Sequence, residues 1–424
     1  MQPMRFVHAA DLHVDSPLRG LERYEGAPVE LAREATRAAV KNLVDLCLRE
    51  DAAFLLVSGD LFDGDWKDFH TPLFLVSELA RLKAKNIRAF VVLGNHDLQS
   101  ELVPHIRWPD NVTVFGAHRA DTCILHEYSA AIHGRSYARA AVSENLAASY
   151  PPPLADHFNI ALLHTNAAGA AGAGDHASYA PCRGEELRAR GYDYWALGHV
   201  HGHQVLSTSP HVVYPGNLQG RNARETGEKG AVVVDVEDRK VKNLRFVPCD
   251  VMRWARIDVD ADATDAPREI VDKVRTAVSS ETGRIEGRAL AARVTVKGAC
   301  EAHAALARME DRARFVADVR AAARDASERA WIEKVQIETS SLADVDTLRA
   351  ARDLVGDLLR STRDLANSGE LAKALEPLFL PLRAKMGPAL DDAGVRLDDP
   401  DRLRKYIAEA ETILVDLLAG DRSG

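Results

Sequence analysis

The first 250 residues of this 424-residue chain carry a series of short apolar runs, each stopping at a polar or glycine-containing turn. "RFVHAAD", "AAFLLVSGD", "IRAFVVLGNHD", "NVTVFG", "CILHEYSAAIHG", "FNIALLHTN", "YDYWALGHVH" and "HVVYPGN" each hold a run of β-formers. Runs of about 4–8 such residues are the length of a buried strand. Two helical patterns, "PVELAREATRAAVKNLVDLCLRED" and "TPLFLVSELARLKAKN", lie between the early ones. Strand–helix–strand alternation calls for an α/β domain with parallel strands. The later runs follow one another with little helix between, which implies a sheet that is mixed or doubled. "GAVVVDVEDRKVKNLRFVPC" reads as a hairpin closing the domain.

From about residue 255 the pattern changes. "ARIDVD", "RALAARVTVKG" and "WIEKVQIETS" surround two helical stretches, the pattern of a small α+β unit. Residues 342–424 have almost no strand signal. Leu348, Val355, Leu359 and Leu365 mark one amphipathic helix. Leu403, Ile407, Ala410, Leu414 and Leu417 step by four and three, as core packing or a partner-helix seam would require. The prolines of "EPLFLPLRAKMGPAL" should break the helices there, and "GAAGAGDHAS" (169–178) is expected to be a flexible loop. The expected domains are therefore 1–252, 253–341 and 342–424, since a chain of this length exceeds one ordinary core.

Composition narrows the setting. No run approaches the roughly 20 apolar residues of a membrane span. The apolar N-terminal stretch is interrupted by His8 and Asp11, unlike a secretory signal. Cys47, Cys123, Cys182, Cys249 and Cys300 are scattered and form no CxxC pair, which argues against a disulfide framework and a thiolate zinc site. A reducing, cytoplasmic location is expected. The net charge of −9 disfavours gripping nucleic acid over a broad surface unaided. A phosphate-bearing partner would have to be drawn locally, by metal ions or a few arginines, or with help from a second subunit.

The chemistry sits at the ends of the runs. "ADLH" places Asp11 and His13 two apart, "SGDLFD" places Asp60 just past a strand, and "LGNHD" does the same for Asn95, His96 and Asp97. "LLHTN" ends in His164, and "LGHVH" supplies His199 and His201. Side chains at the carboxyl ends of adjacent strands converge on one crevice in α/β sheets. Asp11, His13, Asp60, Asn95, His164, His199 and His201 are oxygen and imidazole donors without a thiolate. Seven are too many for one ion and suit two, with the central Asp60 as bridge. Two divalent ions can clamp a phosphate and activate water. The mixed donor set fits manganese, iron or zinc. Gly59, Gly94 and Gly198 precede these turns, where backbone must bend or come close. His96 can face substrate and protonate a leaving oxygen, with Asp97 to orient it.

Other residues carry blander expectations. His203 reads as an outer or surface residue; His8, His70, His105, His126 and His133 read as structural, and His176 as solvent-exposed. Arg221, Arg224 and Lys229 in "NLQGRNARETGEKG" fit either phosphate-backbone contact or a solvated hairpin.

In this order, D-x-H, G-D-x-x-D, G-N-H-D, a lone H and G-H-x-H resemble the calcineurin-like metallophosphoesterases over about residues 5–250. "HAADLHVDSPLRGL", "GDLFDG", "HGRSY", "YDYWALGHVHGHQVL" and "YPGNLQGR…GEKGAVVVDV" look like the SbcD-type DNA repair exonucleases, particularly the YhaO-like subgroup. The resemblance implies a two-sheet β-sandwich flanked by helices, followed by a small α+β capping domain and a helical C-terminal region. It implies that Asp11, His13, Asp60 and His201 hold one metal, and that Asp60, Asn95, His164 and His199 hold the other. His96 would be the catalytic histidine, manganese the usual metal, and the assembly a homodimer with an SbcC-like, coiled-coil ABC-type ATPase. C-terminal helices would grip that coiled coil, which favours the seam at 403–417. Asp15 departs from the common D-x-H-L-G turn, as in the YhaO-like group.

The residues lead to the expectation of a two-metal phosphodiesterase, and the resemblance implies a DNA exonuclease or endonuclease acting in double-strand break repair as the nuclease subunit of an SbcCD-like complex. Two rivals are a phosphodiesterase or pyrophosphatase acting on a nucleotide or small phosphodiester, and a non-catalytic subunit that binds DNA ends.

Overall fold

The computed structural model describes residues 2–18, 21, 28–63, 69–100, 103–172, 178–342, 345–368, 371–392 and 399–420. His176 and most of the glycine-rich loop lie outside these residues. The strands are β1 (Met4–Ala9), β2 (Phe54–Ser58), β3 (Arg88–Val92), β4 (Val112–Val114), β5 (Asp121–Leu125), β6 (Ala130–Gly134), β7 (Phe158–His164), β8 (Ala167–Ala168), β9 (Cys182–Arg183), β10 (Tyr194–Gly198), β11 (Gln204–Thr208), β12 (His211–Tyr214), β13 (Gly230–Glu237), β14 (Lys240–Pro248), β15 (Met252–Asp260), β16 (Ala289–Ala299) and β17 (Ala330–Ser340). The helices are α1 (Val29–Arg49), α2 (His70–Arg81), α3 (Gly184–Ala189), α4 (Pro267–Thr282), α5 (His303–Ala307), α6 (Met309–Ala326), α7 (Val345–Ala350), α8 (Leu354–Asn367), α9 (Leu371–Asp392) and α10 (Pro400–Gly420). Among the described residues no helix is long and apolar enough to cross a membrane.

The chain forms two compact units. The first holds residues 1–256, 281–293 and 329–333. The second holds 257–280, 294–328 and 334–424. In the first unit two six-stranded sheets have the orders β14-β13-β1-β2-β3-β4 and β11-β12-β10-β7-β6-β5. β1 to β4 run parallel, and β13 and β14 add antiparallel. The second sheet is parallel through β12, β10, β7 and β6, with antiparallel edges. This is the expected mixed, doubled α/β sandwich.

Alternation along each strand explains why both faces are apolar. In β2, Phe54 and Leu56 enter the core between the sheets. Leu55 and Val57 face the outer core, where Ala39, Val40, Leu43 and Leu75 of α1 and α2 cover them. In β10, Tyr194 and Ala196 face inward, whereas Trp195 and Leu197 join a second outer core. Strands buried on both faces lose the polar alternation of a half-exposed sheet. Two histidines expected to be structural are so placed. His8 lies between Tyr194 Oη (3.1 Å) and Ser58 Oγ (3.2 Å), and His133 between Thr122 Oγ1 (2.8 Å) and Asn159 Oδ1 (3.2 Å).

Three sequence expectations change. "CILHEYSAAIHG" is two antiparallel strands, β5 and β6, because Ser129 takes a left-handed conformation (φ 45°) and reverses the chain. β11 was not anticipated; it is a largely solvated edge strand without an apolar run. α9 continues through Pro377, Pro381 and Pro388 rather than ending at them. Each proline removes one backbone donor. Lys373 and Pro377, whose carbonyls lose their donors at Pro377 and Pro381, are exposed, so water can serve them.

In the second unit β15, β16 and β17, which run on from the first, belong to a three-stranded sheet. Val355 and Leu359 pack with Val415, and Leu371, Leu403 and Ile407 pack with Phe379 and Tyr406. Leu403 and Ile407, two of the stripe's five positions, are therefore buried against neighbouring helices, whereas Ala410 is exposed. The side chains of Leu414 and Leu417 lie outside those described.

Gly198 shows how tightly the sheets meet near the strand ends: a Cβ there would lie 1.8 Å from the Ser58 carbonyl oxygen. Gly198→Ala should destabilise the protein by about 3 kcal/mol. A urea-unfolding midpoint unchanged from wild type would contradict this packing.

Candidate metal centre

The loops after β1, β2, β3, β7 and β10 meet at one end of the sandwich. Their convergence does not rely on strand pleating. Asp11 (φ 50°), His13 (φ 41°), Asp60 (φ 50°) and His199 (φ 102°) all lie at positive φ. L-residues rarely adopt that region, and where they do they concentrate at functional sites. Backbone bonds brace these turns: Asp11 N donates to Gly59 O at 3.0 Å and His13 N to Asp60 O at 3.1 Å. The Asp11 carboxylate in turn accepts from His199 N at 3.1 Å.

The side chains then face one another. His13 Nε2 is 3.3 Å from His201 Nε2. His164 Nε2 is 3.0 Å from Asn95 Oδ1 and 3.3 Å from Asp60 Oδ2. Asp11, His13 and His201 form one group able to hold a metal ion; Asp60, His164 and His199 form another. All six are buried.

The outer ring nitrogens show what these groups lack. His164 Nδ1 lies 2.9 Å from the Ser58 carbonyl oxygen and His201 Nδ1 lies 3.0 Å from Glu225 Oε1. Both partners only accept, so both Nδ1 atoms carry a proton, and each Nε2 is turned into the cluster, where the neutral ring offers a lone pair. His201 Nε2 points at another imidazole nitrogen, and His164 Nε2 at two oxygens. His13 Nδ1 is buried without a hydrogen bond, 3.7 Å from Asp63 Oδ1. Nitrogen and oxygen donor atoms crowded together in a buried cluster call for a positive charge between them, from protons or from metal ions. Two divalent cations fit this donor set.

Electrostatics tell the same story in protons. Burial pushes Asp11 up to about 7, against the pull of His164. Burial disfavours a charged His164, but the Asp60 and Asp11 carboxylates prevail and push it up to about 9. Burial also opposes ionisation of Asp60, yet His164 and His13 hold it well below the usual carboxylate range.

His96 stands at the rim. Its backbone N donates to Asp60 Oδ1 at 3.0 Å, and its Nδ1 lies 2.9 Å from Asp63 Oδ1. Asp97, the residue expected to orient it, is occupied elsewhere. The Asp97 carboxylate accepts from Leu61 N, Phe62 N and Gly94 N at 2.8–3.1 Å, and so ties two loops together. The carboxylate beside His96 is that of Asp63, three residues after Asp60. Asp63 also accepts from Ser16 Oγ (2.6 Å) and pairs with Arg221 Nη1 (3.1 Å). Burial works against its charge, but His96, His13 and Arg221 hold it well below its ordinary pKa.

A cleft of about 650 Å³ opens beside the cluster, lined by Ser16, Asp63, His96, His201, Arg221, Arg224, Glu225 and Lys229 among others. Arg221 lies within it and Arg224 is exposed at it. Lys229 is buried, with Nζ donating to His201 O at 2.8 Å. His203 stacks on Phe246, with Nδ1 2.9 Å from Tyr214 O, and joins neither group. Asp63 and Glu225 were missing from the sequence-derived set. Asp63 has a local signal as the second acid of G-D-x-x-D. Glu225 has none, being 24 residues from the histidine it meets.

Residues 4–203 match the calcineurin-like phosphoesterase family, and residues 254–340 match the middle domain of metallophosphoesterase YhaO. A Bacillus subtilis (strain 168) protein called "uncharacterized metallophosphoesterase YhaO" is 37% identical over 262 residues, 61% of this chain and 63% of that one. The match thus spans less than two thirds of that relative's length. A crystal structure of a dimetal phosphatase from Danio rerio aligns at a TM-score of 0.32 and 11% identity, covering 56% of this chain and 94% of that one, a likeness too slight to bear on the site. Residues 4–203 form a calcineurin-like metallophosphoesterase domain. The middle segment that follows is similar to the corresponding domain of YhaO, so the two stretches in that order resemble a YhaO-like metallophosphoesterase.

Titration calorimetry should find two divalent metal ions per chain, and Asp60→Ala should bind neither tightly. Saturating metal at about 100 times its dissociation constant should stabilise the fold by about 2.7 kcal/mol per site, a gain that a chelator reverses. An Asp60→Ala protein holding two tight ions would remove Asp60 as the bridge.

Proposed function

We propose that this protein is a two-metal phosphodiesterase that cuts DNA, the nuclease subunit of an SbcCD-like double-strand-break repair complex. The observation that carries the hydrolase reading is the set of buried nitrogens and oxygens that face one another between His13 and His201, and between His164, Asn95 and Asp60. Asp11, His13, Asp60 and His201 would hold one ion; Asp60, Asn95, His164 and His199 would hold the other. Manganese is the favoured metal, and iron or zinc suits the same donors. When bound, such ions lower the pKa of water and offset negative charge on a phosphoryl group.

The protein's own side chains do the rest. Asp63 engages His96 Nδ1, so the other ring nitrogen is left to protonate a departing sugar oxygen. Burial resists a charge on His96, but Asp63 and Asp60 raise its pKa, which keeps that proton available. Arg221 and Arg224 supply cationic contacts for phosphate in the cleft. A guanidinium can grip a phosphate through two parallel N–H bonds.

DNA as substrate, digestion from an end, a homodimeric state and an SbcC-like ATPase partner in the cytoplasm follow from the sequence resemblance. The acidic charge supports a need for that partner. So does α9, where Leu378, Leu382 and Met386 recur every four residues and are exposed. A second reading, hydrolysis of a nucleotide or small phosphodiester, is favoured by a cleft of only about 650 Å³.

End-labelled duplex DNA and a small chromogenic diester, each with manganese, separate the two. Wild type should degrade the duplex, while His96→Ala should keep its metals and lose roughly 10²-fold or more in rate. Cleavage of the chromogenic ester alone, even with the ATPase present, would favour the small substrate. Leu378→Glu with Leu382→Glu should abolish co-elution with the SbcC-like ATPase and leave cleavage of the small diester intact; undiminished co-elution would remove α9 from the interface.

A further inference from the structure

We infer that Glu225 is a positioning residue that sets two parts of this site at once: it holds His201 in the tautomer that offers Nε2 to an ion, and it shapes the loop that carries Arg221. The inference rests on the dimetal reading above. Glu225 Oε1 lies 3.0 Å from His201 Nδ1, and Oε2 accepts from Asn217 Nδ2 at 2.7 Å and from Arg221 N at 2.8 Å. Asn222 Nδ2 reaches Oε1 at 3.3 Å, and Arg221 Nη2 lies 3.7 Å away. The loop from Asn217 to Glu225 is thus wrapped around a single, mostly buried carboxylate. That loop sends Arg221 across to Asp63 at 3.1 Å, next to His96.

The tautomer matters because of what His201 faces. Its Nε2 lies 3.3 Å from His13 Nε2. With Glu225 accepting at Nδ1, the two ε nitrogens can both direct lone pairs into the gap. Without that acceptor His201 can move its proton to Nε2 and donate it to His13. The resulting imidazole–imidazole hydrogen bond would use the lone pairs meant for the ion and close that half of the site. An acceptor on the far nitrogen commonly fixes a metal-bound imidazole in this way.

The test compares the full-length wild type, Glu225→Ala and Glu225→Gln. It uses manganese calorimetry, circular dichroism to confirm folding, and steady-state cleavage of a chromogenic diester. Glu225→Ala should weaken one of the two ions by about 10–100-fold and leave the other near wild type. Glu225→Gln keeps an oxygen for His201 Nδ1 but turns its NH2 toward Arg221 N and Asn217. It should therefore bind both ions as wild type does and raise KM with little change in kcat. A purely structural carboxylate would not give this split. Wild-type affinity for both ions in Glu225→Ala would overturn the inference, as would a Gln variant that loses an ion like the Ala variant. Should Glu225→Ala fail to fold, the Gln variant decides by the same criteria. A wild type that binds no second ion would instead overturn the dimetal reading itself.

Discussion

Metal-donor atoms crowded face to face in a largely buried cluster are the constraint around which this domain is arranged. His13 and His201 meet ε nitrogen to ε nitrogen at 3.3 Å, and His164 meets Asn95 and Asp60 in the same manner. In a low-dielectric interior such an arrangement repels itself unless a positive charge intervenes. Protons can serve in part, which is why His164 is driven up to about 9 and Asp11 to about 7. Divalent cations serve better, since they can satisfy several lone pairs at once. The outer partners, Ser58 O for His164 and Glu225 for His201, keep those lone pairs aimed inward.

The scaffold tolerates this arrangement because closely packed strands hold the loops that carry it. Strands buried on both faces bring five loops to one end, and the inter-sheet core of Phe54, Phe90, Ile160 and Tyr194 leaves little freedom to relax. Positive-φ backbone at Asp11, His13, Asp60 and His199 stores strain that only such surroundings can sustain. Gly59, at φ 91°, combines both demands: its backbone is left-handed, and a Cβ would lie 2.3 Å from His164 Nδ1. Asp97 closes the arrangement from below by joining the loops that carry Asp60 and Asn95.

Much of this was legible along the chain. Apolar runs ending in acids, amides and histidines marked the strands, and their ends marked the seven donors that the structure gathers at one place. Where the reading failed, the cause was non-local. β5 and β6 read as one strand because the left-handed turn at Ser129 is written in no glycine or proline. The prolines of α9 promised a break, but a helix with water at its freed carbonyls can run through them. Asp97 looked like the partner of His96 because it is adjacent in sequence, whereas the fold brings Asp63 to that ring.

The sequence alone determined the strand-and-helix order, the oxygen-and-imidazole chemistry of the strand ends and the glycines on which close approach depends. These are properties of single residues and of their local period, so they survive without a third dimension. Only the tertiary structure decided which atom of each side chain faces which, and so which nitrogen holds a proton and which a lone pair. It also brought in Glu225 and the paired Asp63 and Arg221, whose roles come from contacts between residues distant in the chain. Such contacts exist only once the two sheets are stacked, because an imidazole gains a direction from the neighbours on both of its nitrogens.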